Sequence, residues 1–435
     1  MSRLRILVLA PDANPEGICG PLLSFSQAEA LARLHDVTLV VRSRSEAAVR
    51  RRQNRLHAVE VVRQPWIERI YAWSLRWIFK NNYNSKVLTA FNYPFSLAFE
   101  WGAWRQTRTR IMAGEFDVVL RLLPVPAVLP SPFAFFLRHG PIPFVIGPIS
   151  GGLPWPEAFS QANNQKEWIC GLRNLYRFLP FAHSTYRYAA AIIAGTSQTY
   201  AEFAVYCEKL FFLLENGVSG SVCSDAVRSF ERDGKLELIF VGTLMPTKAC
   251  DLALRAAAPL LRSDLARFTL VGDGPERDRL EQLTRFLGIE KAASFCGFLS
   301  HAETLQRLRR ADVLVFPSIR DNSPAVVFEA LAAGAVPVVV DFGGPGDTVR
   351  SEVGYKVPLT NESDLVSQME KILATLAQDR DLLNRLRQQG MSYARESLTW
   401  DAKAQSITRV LNWAVGRGPR PDLPPPKTLH LEHAS

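Results

Sequence analysis

Two carboxylates, Asp321 and Glu329, stand eight positions apart in the stretch Phe316 to Thr348, FPSIRDNSPAVVFEALAAGAVPVVVDFGGPGDT. Between them Pro324 occupies a position where proline best starts a helix, and Ala325 to Ala333 continue it. Val336 to Val340 then form a short all-apolar run suited to a buried parallel strand. One acid is therefore expected on the loop before a helix and the other about a turn inside it. Free backbone N–H groups lie between them, and with the helix dipole they favour a phosphate. A carboxylate beside the same helix can accept hydrogen bonds from sugar hydroxyls. This spacing suits a sugar nucleotide; the structural alternative is an N-capping aspartate and a solvated glutamate on an ordinary helix.

Other turns fall where strands should end. Phe240-Val-Gly-Thr-Leu-Met-Pro-Thr-Lys248 closes one predicted strand and opens a helix. Leu270-Val-Gly-Asp-Gly-Pro275 ends the next with Gly272 and Gly274, which permit close backbone approach. Cys296-Gly-Phe-Leu299 follows a third. In the first half, Glu16-Gly-Ile-Cys-Gly-Pro21 and Gly147-Pro-Ile-Ser-Gly-Gly152 are glycine-bearing turns after strands. Neither is a G-x-G-x-x-G fingerprint, which argues against a dinucleotide and makes a Rossmann oxidoreductase the weakest reading.

The chain has 435 residues and a net charge of +9, and the location of that charge is informative. Met1 to Arg232 holds 26 Lys/Arg against 17 Asp/Glu, while the remainder holds 25 of each. Residues 40–110 alone carry 14 basic and 4 acidic side chains. Trp66 to Arg110 interleaves these cations with Trp66, Tyr71, Trp73, Trp77, Trp101 and Trp104, among other aromatics. Amphipathic helices of this composition favour an anionic membrane surface. Single-stranded nucleic acid is the other fit; with a sugar-nucleotide site elsewhere, the membrane is preferred and nucleic acid is not expected. An ordinary helical insertion with a basic face is the structural alternative.

Length calls for two domains, and alternating strand and helix patterns call for an α/β protein. Strands are expected near 4–10, 36–42, 58–62, 116–120, 142–146, 190–194 and 210–214, with helices near 22–34, 66–80, 85–112, 125–138, 168–189 and 196–206. The second half predicts strands near 236–242, 267–271, 293–296, 311–316, 336–340 and 353–357. Its helices fall near 248–262, 275–287, 301–310, 324–333, 362–376 and 379–395. The expected domains are 1–214 and 236–400, joined by a linker at 215–235. A terminal helix at 401–416 and a disordered tail at 417–435 follow. Six cysteines without a C-x-x-C pair suggest no metal or disulfide framework and a cytoplasmic setting. No apolar run reaches the roughly 18 residues of a spanning helix, and the N-terminus reads as a first strand rather than a signal segment.

The PS…FEALAAG.PVVV…GGPG context resembles the signature of the retaining glycosyltransferases of family four, which have the GT-B fold of two doubly wound Rossmann-like domains facing across a cleft. The family usually has Glu–Glu where this chain has Asp321 and Glu329, and an Arg where it has Thr243. The resemblance implies a retaining hexosyl transfer from a nucleotide-diphosphate sugar to a saccharide or lipid-linked saccharide acceptor, in surface polysaccharide or glycolipid assembly. Asp321, Glu329 and Lys248 would carry the chemistry. Gly242, Thr243, Gly272, Gly274, Phe298, Leu299, Ser323, Pro324, Ala325 and Val326 would line the donor. Gly17, Gly20, Arg121, Gly147, Gly151 and Gly152 would line the acceptor side. No cofactor and no metal are expected, since cationic groups can serve the diphosphate, and Arg320 is a candidate substitute for the missing Arg. The family's histidine after the strand at 117–120 is replaced by Leu120-Arg121-Leu122; His139 and His183 are read as structural or surface residues. The enzyme would sit in the cytoplasm, peripherally at the inner face of a membrane. A sugar-nucleotide epimerase or hydrolase, and a degenerate binding subunit, are the alternatives.

Overall fold

Residues 5–9 are buried along nearly their whole length, as a parallel strand covered on both faces must be. In the computed structural model, the structure describes residues 2–17, 19–52, 55–77, 86–122, 129–151, 153, 155–156, 159, 179–223 and 234–426. They fall into two units. Unit 1 holds the described residues within 1–152, 165–215 and 403–435, and unit 2 holds those within 153–164 and 216–402.

Unit 1 alternates β1 (Arg5–Leu9), α1 (Gly20–Ala32), β2 (Asp36–Arg42), α2 (Ser43–Arg51), β3 (Ala58–Val62), α3 (Pro65–Trp77), α4 (Lys86–Met112), β4 (Val118–Arg121), α5 (Pro132–Phe136), β5 (Phe144–Ile149), α6 (Ala182–Tyr188), β6 (Ala191–Ala194), α7 (Ser197–Glu202) and β7 (Leu210–Phe212). Its sheet is parallel, in the order β3-β2-β1-β4-β5-β6-β7. Leu7, Leu9, Phe99, Val119, Phe144 and Ile192 belong to one buried cluster on it. Burial of each such side chain stabilises the fold by about 1.5–3 kcal/mol.

Unit 2 runs β8 (Leu236–Val241), α8 (Cys250–Arg262), β9 (Ala266–Val271), α9 (Arg277–Phe286), β10 (Ala293–Phe295), α10 (His301–Arg310), β11 (Val313–Phe316), α11 (Ala325–Ala333), β12 (Val336–Asp341), α12 (Gly343–Thr348), β13 (Tyr355–Pro358), α13 (Glu362–Gln378) and α14 (Arg380–Tyr393). The order is β10-β9-β8-β11-β12-β13, again parallel. The chain closes with α15 (Trp400–Ala414). In both sheets the order reverses beside the first strand of the unit, which opens a crevice at the carboxyl ends of the two strands there.

Four differences from the sequence reading have local causes. Helix α2 was not anticipated, because it places only Ser45, Ala48 and Val49 inside, too few for a period to show. The helix expected at 125–138 is confined to Pro132–Phe136, where Ser131 caps it by accepting from Phe133 N at 3.3 Å; residues 125–128 lie outside the described residues. The first part of the helix expected at 168–189 also lies outside them, and Ala182–Tyr188 is what remains. The stretch 417–426, expected to be disordered, is anchored by arginines that the apolar pattern does not register. Arg417 binds Asp117 at 2.9 Å, and Arg420 donates to the carbonyls of Cys207 and Glu208 at 3.1 Å each. Residues 427–435 lie outside the described residues.

Candidate functional site

Strands β8 and β11 pair through Val313 with Leu238 and Leu314 with Ile239, so the loops that follow them leave the sheet side by side. The loop after β11 is tied to the one after β8: Ile319 N and Ser318 Oγ both donate to the Thr247 carbonyl, at 3.1 and 3.3 Å. That tie brings Lys248 to Asp321, and Lys248 Nζ donates to Asp321 Oδ2. The same ammonium lies 5.3 Å from the Phe316 ring centroid, a favourable cation–π distance. Lys248 sits in the single 3-10 turn Pro246–Lys248, and α8 begins only at Cys250. Ala249 between them has φ of 48°, in the left-handed region. A residue with a Cβ is strained there.

The GGPG run supports the Asp321 loop from below. Gly344 N donates to the Asp321 carbonyl at 2.8 Å. A Cβ on Gly344 would meet the Asn322 carbonyl oxygen at 2.1 Å, and one on Gly343, whose φ is +60°, would meet the Asp321 carbonyl at 2.7 Å. These glycines let the start of α12 lie directly on the Asp321 loop. Ser323 O accepts from Asn216 Nδ2 at 3.1 Å. Pro324 is the N-cap of α11, one place earlier than expected, with no side-chain cap bond. The N–H groups of Ala325 and Val326 therefore open the helix without a side-chain partner, and a helix start of this kind accommodates an anion.

Glu329 follows in the second turn of α11 and is partly buried. His301 Nε2 lies 2.8 Å from its Oε1, and that hydrogen bond raises the imidazole pKa against the lowering effect of burial. Sequence reasoning missed His301; the only trace was its place just after the strand-end turn Cys296 to Leu299. In the neighbouring turns Gly242 N donates to Val271 O at 3.0 Å and Gly272 N to Gly297 O at 2.8 Å. A Cβ at Gly272 or Gly274 would strike the carbonyls of Gly242 or Leu244, at 2.0 and 2.4 Å. Close packing between loops thus accounts for both glycines. Thr243 and Phe298 are exposed and Leu299 is partly so. Arg320 lies over the Trp155 ring at 5.6 Å from its centroid.

Unit 1 places its predicted residues differently. Arg121, expected to line the acceptor side, is 2% exposed. Its Nε binds Glu100 Oε1 at 2.7 Å and its Nη1 donates to Leu129 O at 2.7 Å. This guanidinium is spent inside the fold, because Glu100 on α4 is equally buried. Burial pushes the Glu100 carboxyl pKa up, and Arg121 opposes that. Gly147 lies within β5 rather than in a turn after it; its φ is +120°, and a Cβ there would meet Ile193 O at 2.2 Å. Gly151 is buried and donates to Thr199 Oγ1 at 2.7 Å. Gly17 donates to Asn14 O at 3.2 Å, and Gly20 opens α1; both are partly exposed. Gly152 lies outside the described residues. His139 and His183 are exposed.

A second surface lies on α3. Trp66, Ile70, Trp73 and Trp77 follow at intervals of four, three and four, which is one helical stripe. All four are between 50% and 66% exposed. Trp101 on α4 is also exposed, and a groove of about 760 Å³ between the two helices includes Trp66, Trp101 and Arg105 in its walls. Arg69, Arg76, Arg105 and Arg108 are exposed around it. Lys80, Tyr83 and the rest of 78–85 lie outside the described residues. Among the described residues no helix is long and apolar enough to cross a membrane.

Residues 225–392 match the family model of the glycosyl transferases group 1. The chain is 30% identical over 227 residues to glycogen synthase of Mycobacterium tuberculosis, covering 51% of this chain and 52% of that one. It spans about half the length of the curated relatives it matches, 46% and 52% for two of them. Among solved structures it is similar to HepE of Anabaena in complex with UDP, with a TM-score of 0.59 and 18% identity over 94% of this chain and 100% of that one. It is also similar to sucrose-phosphate synthase from Thermosynechococcus elongatus, with a TM-score of 0.62 and 15% identity over 96% and 100%. At these identities the likeness speaks to fold, and the fold is GT-B: two doubly wound α/β domains.

Proposed function

We propose, for a chain whose residues 225–392 match the family model of the glycosyl transferases group 1, that the protein moves a hexosyl unit from a nucleotide-diphosphate sugar to a saccharide acceptor with retention at the anomeric carbon. The observation that carries this reading is the convergence at one sheet crevice of Lys248, Asp321, Glu329 and the uncapped start of α11. Lys248 has three donors, so its bond to Asp321 leaves two for phosphate oxygens. Together with the N–H groups of Ala325 and Val326, it meets the charge that grows on the leaving diphosphate. Asp321 faces the positive charge developing at the anomeric carbon and takes donor hydroxyls. Glu329 takes the ribose hydroxyls. The bond from the anomeric carbon to the diphosphate oxygen breaks, the acceptor hydroxyl oxygen bonds that carbon on the same face, and the hydroxyl proton leaves with the diphosphate.

The experiment is thermal unfolding of the purified protein with a panel of nucleotide diphosphates and sugar nucleotides, since a ligand of the native state raises apparent stability. The expected result is protection by one sugar nucleotide, abolished by Glu329→Gln. Equal protection of the variant overturns the site.

The acceptor we assign to this enzyme is lipid-linked, with the protein held peripherally on an anionic bilayer by α3. Indole rings left in water with arginines beside them suit the bilayer interface. Sedimentation with vesicles of phosphatidylglycerol, lost with Trp73→Ser plus Trp77→Ser and absent with phosphatidylcholine, is expected. Equal retention of the double variant removes α3 from the account.

One observation favours a second reading. Thr243 stands in water where a second cation would serve the diphosphate, and Arg320 is stacked on Trp155. A subunit that binds the sugar nucleotide and transfers nothing fits that arrangement. Protection by a sugar nucleotide without its consumption in the presence of acceptor glycolipids would select it.

A further inference from the structure

Glu329 carries an attachment that holding ribose does not by itself require. His301 Nε2 reaches its Oε1 at 2.8 Å, although the imidazole is 68% exposed and the carboxylate only 16%. His301 is the first residue of α10, and a capping box fixes where that helix starts. Ser300 N and Oγ both donate to Glu303 Oε2, at 2.9 and 2.6 Å. The imidazole is thus mounted on an anchored helix start and reaches inward to a neighbouring helix.

A glutamate has three side-chain torsions, and the last is broad. Tethering one oxygen removes the freedom to rotate the carboxylate plane. An ionised carboxylate has about four acceptor positions, so one bond from His301 leaves room for two adjacent hydroxyls. As a surface ion pair alone, this contact would add little to stability and nothing to ligand discrimination.

We propose that His301 is a positioning residue for the donor: it holds the Glu329 carboxylate in the orientation that accepts both ribose hydroxyls. The inference rests on the reading of Glu329 given above. His301 touches neither the transferred sugar nor the diphosphate in this role, and its effect passes through Glu329.

The test is calorimetric affinity for the best-bound of UDP, ADP and GDP, and for its 2′,3′-dideoxy analogue, with wild type, His301→Ala, His301→Gln and Glu329→Gln. Wild type should prefer the ribonucleotide by about ten-fold or more, the usual consequence of losing hydrogen bonds to a charged group. His301→Ala should bind the ribonucleotide about ten-fold more weakly while binding the dideoxy analogue unchanged. His301→Gln, whose amide can donate from the same place, should restore the preference. A merely structural role would weaken both ligands alike, and that result, or no change in either, overturns the proposal. So does a His301→Gln variant that behaves like the alanine. If Glu329→Gln keeps the full preference, or if none of the three nucleotides binds wild type, the donor-site reading falls and this inference with it. Loss of preference in Glu329→Gln but not in His301→Ala removes His301 alone.

Discussion

Units 1 and 2 share a strand order, with a seventh strand added in unit 1, yet they treat charge at the crevice in opposite ways. At the end of β4, Arg121 is sealed against Glu100, with Leu129 and Ser96 as further partners. In the loops after β11 and β8, Asp321 and Lys248 remain partly exposed, at 17% and 20% of their side chains. One pair is satisfied by the interior, while the other keeps capacity for a ligand. Topology supplies a place where loops converge, and the residues at that place decide whether it holds the fold or takes a substrate.

The sharpest way to break this contrast is to remove each cation. Lys248→Ala should cost about 100-fold or more in transfer, the magnitude usual for a group that meets developing charge, while circular dichroism and thermal midpoint stay near wild type. Arg121→Met should do the reverse. Leaving Glu100 buried without its partner is expected to cost about 3–5 kcal/mol in chemical denaturation, with nucleotide affinity intact in the folded fraction. If the two variants exchanged these effects, the contrast would be wrong.

A gentler probe uses pH. Lys403 on α15 is buried in unit 1, donates to Leu214 O at 2.6 Å, and has a pKa lowered by burial to about 7 despite Glu215 nearby. Between about 7 and 10.5 the unfolded chain then binds the proton that the folded chain does not. The contribution of Lys403 to stability should therefore rise with pH across that window and be level on either side. Lys403→Met should flatten the slope in denaturant titrations, and an unchanged slope would show that another group carries it. The smallest effect is expected from Thr243→Arg. At an exposed strand end it should leave stability within about 0.5 kcal/mol and tighten pyrophosphate binding by about two- to five-fold; weaker binding would place Thr243 away from the anion.

The sheet strands were legible because two-sided burial makes them apolar runs, as in Val336 to Val340. Asp321, Glu329 and Lys248 stood out because their spacing was tied to a helix start. What stayed hidden were pairings across the chain. Arg121 meets Glu100 from 21 positions away and His301 meets Glu329 from 28, and no local period records such partners. The glycines of Gly343-Gly344 and Gly147 were visible as residues, but their purpose was not. Each relieves a backbone contact made by a distant loop or strand.

Asp321 is held at once by Lys248 through its carboxylate and by Gly344 through its carbonyl. The turns after β8 and β11 and the start of α12 are fastened at one residue. Their lengths are consequently not independent. An insertion in any one would have to leave both fastenings in register, so sequence drift should accumulate at loop tips and avoid loop roots. Exchanging any of them would require moving all three segments as a set, and the turn after β10 goes with the one after β9, to which Gly272 N and the Gly297 carbonyl tie it.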